Sequence, residues 1–138
     1  MTNLKVSVFV FLLAFTFVCA YPQTVKDKER FEYVSKQLGL SKEVKNKLKP
    51  IFFAYRRDLR SAKDIYNNVK EKNITAIKKK TLTPDQARAL NQSHWISDAK
   101  IVEIRKSYTT KFSTVLDPQQ VYYLFSYAND SKEKRSGK

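Results

Sequence analysis

In "SKEVKNKLKPIFFAYRRDLRSAKDIYNNVKEK", residues 41–72, the positions Val44, Leu48, Ile51, Tyr55, Leu59, Ala62, Ile65 and Val69 recur at spacings of three and four. A stripe of that period and length is the buried face of one long α-helix. Pro50 lies inside it, removes one backbone hydrogen bond and crowds the carbonyl of Asn46, so the helix is expected to bend there. Five apolar residues in succession, Ile51 to Tyr55, exceed what one face can hide. At about 100° per residue, Phe53 points away from the Ile51 and Tyr55 line, among Lys49, Arg56, Arg57 and Arg60.

The rest of the chain has the same periodicity. Only two glycines occur, Gly39 and Gly137, which favours an all-α reading. A first helix is expected over about Val25 to Leu38, with Phe31, Val34 and Leu38 on one side and Gly39 at its end. After the connection "NITAIKKKTLTPDQ" (73–86), a second long helix is expected from Pro84 to about Val115. Its apolar side carries Leu90, His94, Ile101, Ile104, Tyr108, Phe112 and Val115. Trp95, Ala99 and Val102 form a side stripe beside it, which either widens the core or meets a second copy of the chain. A last helix is expected from Pro118 to about Ala128. Tyr122, Tyr123, Phe125 and Tyr127 are expected to fasten it to the others.

The amino terminus, "MTNLKVSVFVFLLAFTFVCAYPQ", has a Lys, an apolar run from Val6 to Val18 and small residues at Val18-Cys19-Ala20. This reads as a secretory signal peptide over 1–20, its apolar part too short to span a bilayer, with the mature chain starting at Tyr21. Acylation of Cys19 is the competing reading, and Val18 and Phe17 stand where a lipoprotein signal wants small residues. Cleavage after Ala20 leaves no cysteine, hence no disulfide or thiolate. Residues 21–128 form one small helical domain, and 129–138, "NDSKEKRSGK", read as a disordered basic tail.

The chain holds 27 Lys and Arg against 13 Asp and Glu, a formal net charge of +14. Export argues against nucleic acid as the partner and favours an acidic polypeptide or an anionic lipid or lipopolysaccharide surface. Catalysis finds little footing. There is one His, no Gly-rich phosphate loop, and the carboxylates Asp58, Asp64, Asp85, Asp98 and Glu103 are scattered rather than paired. No enzyme activity, cofactor or metal is expected. His94, alone on the apolar stripe, reads as a structural residue.

Three helix starts share one chemistry. "LTPDQ" (82–86) and "LDPQQ" (116–120) place a capping Thr83 or Asp117 after Leu82 or Leu116. Pro84 or Pro118 takes the first helical position, and Gln86 or Gln120 the third. "LSKEV" (40–44) keeps Leu40 and the capping Ser41 but has Val44 in place of Gln. This repeated pattern, in a small, basic, all-helical chain with a signal peptide, resembles the Spy and CpxP family of periplasmic stress proteins, named for its LTxxQ motif. The resemblance covers about residues 38–127 and is best over "AKIVEIRKSYTTKFSTVLDPQQVYYLFSY" (99–127), with "LGLSKEVKNKLKPIFFAYRRDL" (38–59) similar to the family's first motif and following helix. Asp117 departs from the family's Thr and Val44 from its Gln, and the mid-chain "LTPDQ" is additional.

The resemblance implies a bent antiparallel long-helix hairpin with short flanking helices, dimerising into a thin cradle with a basic, partly apolar concave surface. It also implies ATP-independent chaperone activity on unfolded or misfolded envelope proteins. Docking on and inhibiting the periplasmic domain of an envelope-stress sensor kinase is the alternative, and binding to an anionic lipid surface a third. The residues nominated for client contact are Lys49, Phe53, Arg56, Arg57 and Arg60; packing of Phe53 against the first helix or a second subunit is the competing reading. Trp95, Ala99 and Val102 are nominated for the dimer interface.

Overall fold

The structure, a computed structural model, describes residues 24–129; the expected signal peptide and nearly all of the expected basic tail lie outside the described residues. Five helices follow one another: α1 (Val25–Gln37), α2 (Lys42–Lys72), α3 (Ile74–Lys79), α4 (Pro84–Phe112) and α5 (Pro118–Ala128). No strand occurs among the described residues. The all-α expectation is met. The connection after α2 differs from its reading, because Ile74–Lys79 form a further turn and a half of helix.

The local causes of these boundaries lie in the sequence. Thr83 accepts from the Gln86 amide at 3.2 Å while the Gln86 side chain accepts from the Thr83 amide at 2.9 Å. Asp117 and Gln120 repeat the arrangement at 2.8 and 3.1 Å. Both are complete capping boxes, and each cap contributes about 1 kcal/mol to its helix. Leu116 and Val121, one residue before the second cap and four after it, are both buried and staple the entry of α5. At the third start, Ser41 caps the Val44 amide at 3.3 Å without a reciprocal bond, since valine has nothing to return.

Gly39 ends α1 with φ of 60°, and the Gly39 and Leu40 amides bond the Lys36 and Ser35 carbonyls in a Schellman pattern. α2 continues unbroken through Pro50 for 31 residues. α4 stops at Phe112, short of the expected Val115. The Ser113 and Thr114 hydroxyls there donate to the Thr109 and Lys111 carbonyls, each at 2.7 Å, and satisfy the last turn.

α2 and α4 pack antiparallel into a hairpin. Tyr55 meets Phe112, Tyr108 meets Asp58, the Ser97 hydroxyl reaches the Ala62 carbonyl, and Tyr66 meets His94. At its root the hairpin is covered by α1 and α5, and nearly all of the core lies there: Phe31, Val34, Leu48, Phe52, Tyr55, Leu59, Phe112 and Leu124 are 3% exposed or less. Between residues 63 and 107 Leu90 is the only buried hydrophobic residue. That part is an arm two helices thick, its seam narrowed by Ala62, Ser93 and Ser97.

Candidate binding surface

The sequence nominated Phe53 and its basic neighbours as an open surface, and the structure corrects this. Phe53 is 7% exposed, its ring centroid 5.6 Å from Phe31 and 6.2 Å from Phe52. The side of α2 opposite the hairpin seam is occupied by α1, whose own apolar residues Phe31 and Val34 require a partner.

Arg56 is buried with it. Its Nε donates to Asp27 at 3.2 Å and its Nη1 to the Ala128 carbonyl at 3.0 Å, so one guanidinium ties the first turn of α1 to the last carbonyls of α5. Arg60 donates to the other Asp27 oxygen. Burial alone would raise the Asp27 carboxyl. The hydrogen bonds from Arg60 and Arg56, the Arg60 charge and the Thr24 contact outweigh it and hold the group below the ordinary carboxylate range.

Of the remaining nominees, Arg57 is half-exposed and pairs with Asp58 at 3.0 Å, and Lys49 is exposed. The other Asp58 oxygen accepts from the Tyr108 hydroxyl at 2.6 Å. Burial and then the Asp58 carboxylate push that hydroxyl above the ordinary tyrosine value. The five nominated residues therefore form no common open face; Phe53, Arg56 and Arg60 fasten α1, and through Arg56 also α5, onto α2. Asp27, four and seven positions before Phe31 and Val34 and so on the apolar side of α1, was the available signal.

Open apolar surface lies elsewhere. Trp95 is 67% exposed, Val102 48%, Ile96 49%, Tyr122 70% and Tyr123 49%. Trp95, Ala99, Val102 and Lys106, at spacings of four, three and four, line one outward face of α4. The core-widening reading of this stripe is overturned, because among the described residues no helix lies over it. At its root end the stripe runs into a groove of about 450 Å³. Val102, Arg105, Lys106 and Thr109 of α4 form one wall, and Tyr122, Phe125 and Ser126 of α5 the other.

Phe125 forms the floor, its ring 5.6 Å from Tyr55 and 5.7 Å from Phe112. It fastens α5 as expected, together with Val121, Leu124 and Ala128. Tyr127 packs edge-on against Tyr33 of α1, whereas Tyr122 and Tyr123 point outward. Sequence reasoning missed these two tyrosines as surface residues, although the i, i+3, i+7 spacing of Val121, Leu124 and Ala128 already defines the inward side.

The capacities of this surface are apolar and aromatic contact combined with cationic donors. His94 is half-exposed rather than on the buried line; its Nδ1 lies 3.2 Å from Asp98 and its ring packs edge-on to Tyr66. Among the described residues no group of three or more His, Cys, Asp or Glu side chains is placed to hold a metal ion, and no helix is long and apolar enough to cross a membrane. No protein-family model, curated protein or solved structure matches the chain.

Proposed function

We propose that the chain is an exported, ATP-independent holding chaperone that binds unfolded or misfolded envelope proteins in the groove between α4 and α5. One observation carries this reading: Val102, Tyr122 and Phe125 offer apolar and aromatic area in the open, bordered by Arg105 and Lys106, on a strongly basic chain. Positive charge accelerates encounter with acidic unfolded segments over a Debye length of about 8 Å at physiological salt. Shallow apolar contact then holds them without trapping them, so exchange is rapid. The Trp95 and Ala99 part of the stripe, further along the arm, is the seam for a second copy, with Val102 at its border with the groove, which would place one groove on each side of a thin dimer.

The test is aggregation of a chemically unfolded acidic protein, without ATP, at low and physiological salt. Suppression near equimolar ratios, weakened by salt, is expected. Tyr122→Ser combined with Lys106→Glu should raise the ratio needed for half-suppression about fivefold, equivalent to ~1 kcal/mol. Suppression unchanged in that folded variant rejects the groove. A folded parent that suppresses nothing rejects the chaperone reading in favour of docking on a sensor domain. Trp95→Asp should convert a dimer into a monomer in sedimentation analysis; an unchanged mass removes the seam.

A further inference from the structure

The arm ends in a second surface, chemically unlike the groove. Between residues 70 and 80 stand five lysines, Lys70, Lys72, Lys78, Lys79 and Lys80, against one acidic residue, Glu71. All six are exposed. None of the lysines is in an ion pair among the described residues; Lys70 lies 6.0 Å from the Tyr66 ring centroid.

The backbone holds this arrangement at a cost. Lys80 adopts φ of 56°, the left-handed conformation that glycine takes at Gly39, and the Lys80 and Thr81 amides close α3 on the Ile77 and Ala76 carbonyls. A lysine in that region is strained relative to glycine. Ile74, on the same short helix, is 37% exposed. From Asp58, at the edge of the core, to Lys72 the arm extends about 21 Å at 1.5 Å per residue. That is more than two Debye lengths, so the charge at the tip acts independently of the clamp at the root.

We propose that this tip docks on an anionic phospholipid surface, with the lysines among the headgroup phosphates and Ile74 at the boundary with the acyl chains. The charge complementarity is with a dense array of phosphates. Lysine ammoniums are compact point charges on flexible stems suited to such an array, whereas bidentate recognition of a single site calls for arginine. A projecting basic end carrying one exposed aliphatic side chain fits a broad, soft surface. Docking there leaves the α4–α5 groove, at the far end, open. This inference does not depend on the holding-chaperone reading.

The experiment is co-sedimentation of the chain, as purified after export, with vesicles of phosphatidylglycerol or of phosphatidylcholine alone. Binding to the first and not the second, abolished by high salt, is expected. The variant Lys78→Gln, Lys79→Gln, Lys80→Gly should lose about a hundredfold in partitioning, near fivefold for each lysine removed from a charged surface. Its thermal midpoint should not fall, because glycine relieves the strain at position 80. The control Lys26→Gln, Lys28→Gln, Lys36→Gln removes equal charge from α1 and should change partitioning by only a few fold. Equal loss in both variants would show that net charge alone is at work and would overturn the proposal. So would competition by polyglutamate or duplex DNA as effective as added anionic vesicles. Aggregation suppression without vesicles should be the same in the tip variant and the parent, which separates failure here from failure of the groove.

Discussion

Replacing Asp27 with alanine should destabilise the fold by about 3–5 kcal/mol, because it removes the buried carboxylate that both Arg56 and Arg60 bond where α1 meets α2. The Asp27 and Arg56 side chains are only 2% and 8% exposed. The measurement is the shift in denaturant midpoint at constant slope. A loss below about 1 kcal/mol would place this pair with ordinary surface ion pairs. The double change Asp27→Leu with Arg56→Met should be less damaging than Asp27→Ala, since it removes both desolvated charges together.

The same contact makes stability depend on acid. The Asp27 carboxyl is held below its ordinary value of 3.8 in the folded chain. Its contribution is therefore fully present above the unfolded value and is lost as pH falls through the folded one. Stability should be flat, as far as this group decides it, from neutrality down to about pH 5, and should then decline through the carboxylate range. Asp27→Asn should be less stable than the parent at pH 7, and the two curves should converge as pH falls through the lowered folded-state value of Asp27. Parallel curves throughout would assign the acid sensitivity to other carboxylates.

Phe112→Ala should cost a similar ~3–5 kcal/mol by a different mechanism, a cavity where three helices meet. Phe112 is fully buried, with ring centroids 5.6 Å from Tyr55, 5.9 Å from Tyr108 and 5.7 Å from Phe125. It joins α2, α4 and α5 in one contact, and these neighbours are too rigid to collapse into the space it leaves. Phe112→Leu should keep more than half of the lost stability. Tyr122→Ala, ten residues on and 70% exposed, should lie within about 0.5 kcal/mol of the parent. Comparable losses at Phe112 and Tyr122 in thermal and chemical unfolding would contradict the assigned inward side of α5.

Local signals along the chain were sufficient for the helices themselves. Thr83, Asp117 and Ser41 cap the helices where their side chains predict, and Gly39 ends α1, because capping and left-handed ends involve only residues a few positions apart. The stripe from Val44 to Val69 is buried or half-buried throughout, as its period requires. Periodicity reports which residues of a helix share a face. It does not report how many neighbours cover that helix.

That second question decided the surface, and only the tertiary structure answered it. Phe53 and Trp95 looked alike along the chain, each an apolar residue off the main stripe of a long helix. α1 folds back over the first, drawn by Phe31 and by the Asp27 pairing with Arg56 and Arg60, contacts that span 22 to 33 positions. No described segment folds back over the second, because α5 lies near the root and the arm is two helices thick. Helix formation depends on neighbours three and four residues away and is written locally. Exposure depends on which distant segment arrives, and that is fixed by burial and charge pairing across the whole fold.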